Sequence, residues 1–297
     1  MNLAMKRTIS VVNLVLTFFL LLSPLSAQEA GGSSVWRVSR GGSTLYLAGS
    51  VHLLRERDFP LPEEFDRAFS LSSVLVLEAD IAEMQNEGVL LYLFSQMMLE
   101  DGKTLESLLD AETYALLAEK TAAYGIPIEA LSGIKPSLVV LMLSMLQIEE
   151  LGFTQQGIDF YFHQRALDEN KPMAFLESVE TQINTIISMG EGYEDEYILY
   201  SLSDMEETEL ELEELIHDWR TGEFESSDLT LITMKEEWPL LYKALITDRH
   251  DAWMPQIEAF LDSGRVHFVV VGLLHVHGPD GLLRRLQDRG YTIERFR

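Results

Sequence analysis

The chain of 297 residues contains no cysteine. Disulfide bonds, a cysteine nucleophile, iron–sulfur clusters and thiolate zinc sites are therefore excluded. Its nine prolines and nineteen glycines are too few for a fibrous protein, and the composition is not that of a disordered chain. Hydrophobic residues make up 47% of the sequence, so the stability that disulfides cannot supply can come from a full hydrophobic core.

Basic residues are also scarce. Lysine and arginine number 22 against 48 acidic residues, which gives a formal net charge of −26. A protein that binds nucleic acid needs the opposite sign to neutralise phosphates, and binding to an anionic membrane surface is disfavoured for the same reason. We therefore expect no nucleic-acid partner. The expected partner is a neutral or cationic peptide or small-molecule substrate, unless the acidity serves only solubility.

Long apolar runs are absent except near the N-terminus. Lys6 and Arg7 precede an apolar run from Ile9 to Leu22, and a segment of small residues ends at Ala27. This order predicts a signal peptide over residues 1–27 that is cleaved after Ala27, and hence a periplasmic or secreted protein. An uncleaved anchor is the alternative, although the run is short for a membrane span. After cleavage we expect no stable membrane span.

Six β-type runs, separated by helical patterns, follow the predicted signal peptide. The runs are Val35–Val38, Thr44–Ala48, Val74–Leu77, Met173–Leu176, Val266–Val271 and Tyr291–Phe296. The first two flank Gly41-Gly42 and predict a hairpin. Helical patterns are concentrated in the middle of the chain, where the apolar segment Pro136–Gln147 predicts a buried helix. We predict one α/β domain over residues 28–297, with a mixed central sheet flanked by helices and a helical middle section.

Four of these runs lead into residues that can perform chemistry. The second and fifth runs continue into Gly49-x-x-His52 and Gly272-x-x-His275, and two others are followed by Glu78 and Glu177. Ligands of open α/β sheets bind beyond the carboxyl ends of the strands, so neighbouring strands would bring these side chains to one edge. Their order along the chain (His, Glu, Glu, His) is compatible with a mirrored internal duplication.

Two imidazoles and a carboxylate support two kinds of hydrolysis. They can hold a divalent metal that acidifies a bound water, or one histidine can act as general base while the other stabilises developing charge. Arg249 could clamp a carbonyl group, although a surface ion pair is its default role. The roles of Glu177, His250 and His277 are left open. We predict structural roles for the remaining three histidines, which are His163, His217 and His267.

At these residues the sequence resembles the TraB/GumN family, which is related to the TIKI metalloproteases and more distantly to erythromycin esterases and the ChaN haem-binding proteins. Besides the two G-x-x-H motifs and Glu78, the matching segments are Lys135-Pro136, Gly157-Ile158-Asp159, Leu176–Gln182 and Arg249. The resemblance extends over nearly all of residues 28–297. Family members often have Asn where this chain has His250.

The resemblance implies an α/β fold and a pocket built from two histidines and a glutamate. It implies His52, Glu78 and His275 as catalytic residues and metal ligands, with Arg249 as a catalytic helper. The leading hypothesis is therefore an exported, metal-dependent peptidase. The alternatives are a non-catalytic protein that binds haem or a metal, and an inactive envelope-assembly protein. The identity of the metal, the substrate and the oligomeric state are not predicted.

Overall fold

The computed structural model describes residues 32–100, 102–154, 156–203 and 208–297. The signal peptide predicted for residues 1–27 lies outside these residues. The described chain forms a six-stranded sheet, with helices packed on it. The strands are β1 (Val35–Arg40), β2 (Ser43–Ser50), β3 (Val74–Leu77), β4 (Met173–Phe175), β5 (His267–Gly272) and β6 (Thr292–Arg295).

The strand order is β4-β3-β5-β2-β1-β6. Strand β1 pairs antiparallel with both β2 and β6, whereas β4, β3, β5 and β2 form a parallel set. The predicted mixed sheet and the hairpin at Gly41-Gly42 are therefore confirmed. Both of these glycines have positive φ, which glycine adopts at little cost.

The register of the parallel strands aligns their carboxyl ends. Ser50 at the end of β2 is opposite Gly272 at the end of β5, and Leu77 at the end of β3 is opposite Phe175 at the end of β4. All four strands that precede the predicted site residues are thus neighbours and run in the same direction. Their carboxyl ends define the edge of the sheet where the site lies.

Helices pack around the sheet, and a series of helices connects strand β3 to strand β4. The α-helices of the described residues are α1 (Glu63–Leu71), α2 (Glu87–Met97), α3 (Leu105–Leu108), α4 (Ala111–Ala123), α5 (Pro136–Glu150), α6 (Ile158–Asp168), α7 (Val179–Ile187), α8 (Glu194–Ser203), α9 (Thr208–Thr221), α10 (Glu225–Glu237), α11 (Pro239–Tyr242), α12 (Asp248–Asp262), α13 (Leu273–Val276) and α14 (Leu282–Asp288). None of them is long and apolar enough to cross a lipid bilayer.

The core lies on both faces of the sheet. On one face, aromatic side chains of α1 and α6 pack around Phe268 of β5, including Phe65 and Phe162. On the other face, α12 packs Trp253 and Ile257 against alternate residues of the same strands. Strand β5 is covered on both sides, which explains why its sequence is a continuous apolar run and not an alternating one.

The helical middle section has an apolar cluster of its own. Helix α5 contributes Val139 and Leu143, which pack with Leu117 of α4 and Ile198 of α8. Pro136 is the first residue of α5, a position where the missing N–H of proline costs nothing. The helix predicted from the segment Pro136–Gln147 is confirmed, although it is buried only in part and Leu141 is exposed.

Candidate functional site

The histidines and glutamates singled out in the sequence each follow the carboxyl end of one of the four parallel strands. His52 lies two residues beyond β2, Glu78 directly beyond β3, Glu177 two residues beyond β4, and His275 on the short helix α13 that begins right after β5. Arg249 comes from the first turn of α12. The topology therefore brings together residues that are up to 223 positions apart in the sequence.

Gly272 marks the point on which three of these side chains converge. A Cβ atom placed on this glycine would lie 3.3 Å from Nε2 of His52, 3.4 Å from Oε1 of Glu78 and 3.4 Å from Cδ2 of His275. Any larger residue at this position would fill the space that the three groups face. The convergence expected from the two G-x-x-H motifs is thus found in the structure, while the chemistry assigned to these residues stays a prediction.

Arg249 forms a buried ion-pair network with two carboxylates. Its NH2 atom donates to Oε1 of Glu177 at 2.7 Å and also to Oε2 of Glu78. Its Nε atom donates to Oε2 of Glu177 at 3.2 Å. The arginine side chain is only 13% exposed. The surface ion pair that the sequence suggested as the default for Arg249 is therefore a buried pair at the centre of the site.

Glu177 is held from a second direction. Trp253 Nε1 donates to Oε2 of Glu177 at 3.0 Å, and the guanidinium of Arg249 lies over the indole ring, 4.4 Å from its centroid. Both oxygens of Glu177 therefore have donors within the site. Its contacts give Glu177 the role of holding Arg249 in place.

Glu78 is a carboxylate with donors on both oxygens. The backbone N–H of Gly272 donates to Oε1 at 2.6 Å, and Gln182 Nε2 and Arg249 donate to Oε2. Burial raises the pKa of Glu78, but the positive charge of Arg249, the interactions with His275 and His52 and the hydrogen bond from Gly272 outweigh this effect. The pKa of Glu78 is consequently held well below its ordinary value, and the group is ionised in the folded protein.

His52 is oriented by a carboxylate that the sequence did not single out as a site residue. Oδ1 of Asp159 lies 3.0 Å from Nδ1 of His52. The charge of Asp159 is the main cause that raises the pKa of His52 to about 9. The His52 side chain is 57% exposed, so the site opens to solvent on this side.

Gly157 allows α6 to deliver Asp159 to this position. A Cβ atom on Gly157 would lie 2.3 Å from the carbonyl carbon and oxygen of His52, which no real side chain can tolerate. The N–H of Ile158 donates to the carbonyl of Val51 at 3.1 Å and so joins the start of α6 to the segment after β2. The Gly157-Ile158-Asp159 motif is therefore part of the site and not only the beginning of a helix.

His275 is buried among nitrogen and aromatic groups. Its Nδ1 lies 3.1 Å from Nε2 of His250, its Nε2 lies 2.9 Å from NH1 of Arg249, and its ring packs on Trp253. Burial lowers the pKa of His275 well below the ordinary value and lowers that of His250 to about 4. Both rings are neutral at physiological pH.

Four of the charged side chains described above border a cavity of about 300 Å³, whereas His275, His250 and Glu177 are not among its lining residues. Its polar lining residues are Ser50, His52, Glu78, Asp159, Gln182, Thr185 and Arg249. The apolar lining residues are Leu77, Ala79, Ile81, Ile186, Leu245 and Val270. A cavity lined by apolar residues and by a few convergent polar groups is typical of a small-molecule or substrate site.

The nitrogen and oxygen atoms that could ligate a metal are largely hydrogen-bonded within the site. This determines whether the site can bind a metal ion. Among the residues that the structure describes, no group of three or more His, Asp or Glu side chains is arranged to hold a metal ion. Arg249 donates to both Glu78 and His275. Nε2 of His52 and one lone pair of Glu78 Oε1 face the centre. Nε2 carries a proton at neutral pH because the pKa of His52 is about 9, and the guanidinium would repel a metal ion. In this arrangement the side chains do not fit a divalent metal.

The other four histidines lie outside the site. His163 is buried and lies 3.3 Å from Asp80, while His267 stacks on Phe260. His277 stacks on Phe224, and His217 is exposed. None of these four residues lines the cavity described above. For His163, His217 and His267 this agrees with the structural roles predicted from the sequence.

Comparisons with known proteins place the site in a wider context. The model of the TraB/PrgY/gumN family matches residues 34–295. The chain is 25% identical over 251 residues to "Uncharacterized protein YbaP" of Escherichia coli strain K12, an alignment that covers 83% of this chain and 89% of the relative. The protein of the same name from Shigella flexneri gives the same identity and coverage. No solved structure matches the chain.

Proposed function

Because the chain belongs to the TraB/PrgY/gumN family and carries its paired histidines at one edge of the sheet, we propose that it is a hydrolase that cleaves an amide or ester bond with water as the nucleophile. The observation that carries this proposal is the convergence of His52 Nε2 and Glu78 Oε1 on the space at Gly272, beside Arg249.

His52 is the group that moves the proton. With Nδ1 donating to Asp159, the ring presents Nε2 to the cavity as an acceptor when it is neutral. This is the arrangement of a general base whose orientation and tautomer are fixed by a carboxylate. Because the pKa of His52 is about 9, the ring carries a proton at neutral pH and must lose it before it can accept one from water.

Arg249 supplies the positive charge next to the reacting carbonyl. Its Nε and NH2 atoms are committed to Glu78 and Glu177, and NH1 donates one hydrogen to His275. The second hydrogen of NH1 has no partner among the described residues, and Arg249 lines the cavity. A donor held in this way, with its charge already in place, stabilises an oxyanion without further reorganisation.

A metal-dependent peptidase, as the sequence predicted, is the second candidate. It is favoured by the two donor atoms that lie about 3.4 Å from one point, His52 Nε2 and Glu78 Oε1. His52, Glu78 and His275 would be the ligands. This candidate requires Arg249 to leave His275, because the guanidinium occupies Nε2 of that ring, and to move its charge away from Glu78, where it pairs with Oε2.

The test is a panel of chromogenic esters and short peptides given to the protein, to His52→Gln and to the exposed control His217→Gln. We expect turnover by the wild type and the control, and a loss of about 100-fold or more in His52→Gln, as removal of a general base requires. Turnover that survives a chelator supports the metal-free form, and turnover restored only by added metal supports the second candidate. Wild-type turnover in His52→Gln would contradict both.

A binding function is distinguished by the same preparations. If no substrate is turned over and added haem gives a Soret band that His275→Ala lacks, the protein is a haem-binding protein and not a hydrolase.

Export is a separate proposal that follows from residues 1–27. N-terminal sequencing of protein recovered from the periplasm or medium should begin at Gln28, and a chain that still begins at Met1 would contradict cleavage after Ala27.

A further inference from the structure

A continuous hydrogen-bonded path connects the backbone of Asp280 to Arg249 through two buried histidines. The carbonyl of Asp280 lies 2.9 Å from Nδ1 of His250, Nε2 of His250 lies 3.1 Å from Nδ1 of His275, and Nε2 of His275 lies 2.9 Å from NH1 of Arg249. His250 is fully buried and His275 is 6% exposed. No solvent is needed to complete this path.

The two ends of the path fix where the protons are. A carbonyl oxygen only accepts, so Nδ1 of His250 carries a hydrogen and its Nε2 is the acceptor in a neutral ring. Nδ1 of His275 must then be the donor, which leaves Nε2 of His275 as an acceptor. A guanidinium only donates, so Arg249 requires the same assignment from the opposite end.

We propose that His250 is a positioning residue that holds His275 in the Nδ1–H tautomer and thereby keeps the Arg249 guanidinium against Glu78. The tautomer follows from the contacts alone. Its consequence for turnover rests on the proposed hydrolase function.

Loss of the acceptor at position 250 changes the equilibrium between the two tautomers of His275. With Nδ1–H unpaired in a buried site, the other tautomer becomes competitive, because an unsatisfied buried donor is costly. A hydrogen on Nε2 would then face the N–H of Arg249, two donors across 2.9 Å. The guanidinium would have to move away from His275, and its contact with Glu78 would be disturbed.

Two substitutions separate positioning from packing. His250→Asn retains an acceptor and a donor on a smaller side chain, whereas His250→Leu fills similar space with neither. His163→Leu is the matched control, because His163 is also buried but pairs with Asp80 and takes no part in this path. Thermal unfolding of each variant checks that the protein remains folded.

The primary readout is the pair of ¹⁵N chemical shifts of His275 in protein labelled on histidine, assigned by their disappearance in His275→Gln. The wild type should show a protonated Nδ1 and an unprotonated Nε2 at neutral pH. His250→Leu should shift both signals toward the other tautomer or toward exchange between the two. His250→Asn should restore the wild-type pattern, and His163→Leu should not change it.

Turnover is measured in parallel. We expect kcat of His250→Leu to fall by about tenfold or more with a smaller change in KM, and His250→Asn to recover most of it, since the group acts through Arg249 in the transition state. An Nε2–H tautomer in the wild type would overturn the proposal, and so would an unchanged tautomer in His250→Leu. An absence of turnover in every protein, with the expected ¹⁵N shifts, would reject the hydrolase function and leave the positioning role standing.

Discussion

Nδ1 of His52 lies 3.0 Å from Oδ1 of Asp159, and this contact joins the segment after β2 to the first turn of α6. It gives His52 a fixed tautomer, a fixed orientation and a pKa of about 9. By contrast, His275 at the end of the neighbouring strand has a pKa well below the ordinary value, because it is buried and faces Arg249. Two histidines on similar motifs therefore differ in charge at neutral pH, and such divergence is a mark of acid–base assignment.

Gly272→Ala should abolish turnover with little effect on stability. The added methyl group would occupy the space between His52, Glu78 and His275, at 3.3 to 3.4 Å from each. The backbone at Gly272 has φ −50° and ψ 141°, which alanine adopts without strain. Turnover and thermal unfolding of the same preparation check this.

Gly49→Ala is the matched control in the other motif. Its methyl group would lie 2.4 Å from Cδ1 of Leu273 and 3.2 Å from the Leu273 Cα, away from the converging side chains. We expect it to destabilise the protein by about 1–3 kcal/mol, as overpacking does, and to retain turnover in the folded fraction. Loss of turnover in Gly49→Ala but not in Gly272→Ala would contradict the position of the reacting group.

Arg249→Ala should destabilise the protein strongly. It leaves the carboxylates of Glu78 and Glu177 buried without their counter-charge, and their side chains are only 9% and 6% exposed. Breaking a buried pair in this way costs about 3–5 kcal/mol. Arg284→Ala removes an exposed pair with Asp288 and should cost less than about 0.5 kcal/mol. Chemical denaturation of both variants gives the comparison, and equal losses would be inconsistent with the buried network.

The same arginine should control metal affinity. Without the guanidinium, Nε2 of His275 and Oε2 of Glu78 are released from their contacts and can join Nε2 of His52. We therefore expect folded Arg249→Ala to bind zinc or manganese at least about tenfold more tightly than the wild type, as removal of a nearby positive charge permits. Isothermal titration measures this. A wild-type protein that binds the metal tightly and loses it in Arg249→Ala would contradict the metal-free arrangement.

Stability should fall as the pH drops below about 6.5, in part because of His250. Its pKa is about 4 in the folded protein, so the unfolded chain binds more protons between these pH values. The contribution of His250 is present above its unfolded pKa and is lost as the pH falls, at up to about 1.4 kcal/mol per pH unit. His250→Asn removes this titrating group. Denaturation midpoints between pH 6.5 and 4 should therefore decline less steeply in the variant, and identical slopes would contradict a neutral, buried His250.

Strand patterns and the two G-x-x-H motifs were sufficient to predict the sheet and most of its edge. The run Val266–Val271 has the composition of a strand covered on both faces, and the structure places it at the centre of the parallel set. Local patterns also predicted Val74–Leu77 with its true bounds. Each of these features depends on a pattern of only a few consecutive residues, so a single sequence is enough to predict it.

The side chains that contact His52 and Arg249 could not be predicted from the sequence in the same way. Asp159 was singled out only as part of a segment that resembles the family, because nothing local indicates that Gly157 allows α6 to approach the backbone of His52. The carboxylate partners of Arg249 are Glu78 and Glu177, which follow two different strands and lie 171 and 72 positions from it in the sequence.

The dependence of turnover on pH, measured for the protein and for Asp159→Asn, tests the role of His52 most directly. Asparagine keeps an acceptor for Nδ1 but removes the charge that raises the pKa of His52. The wild-type rate should increase with pH and level off near pH 9, and the Asp159→Asn rate should level off about one or more pH units lower. A rate that falls as the pH rises through 9, or a profile that Asp159→Asn leaves unmoved, would contradict His52 as the base.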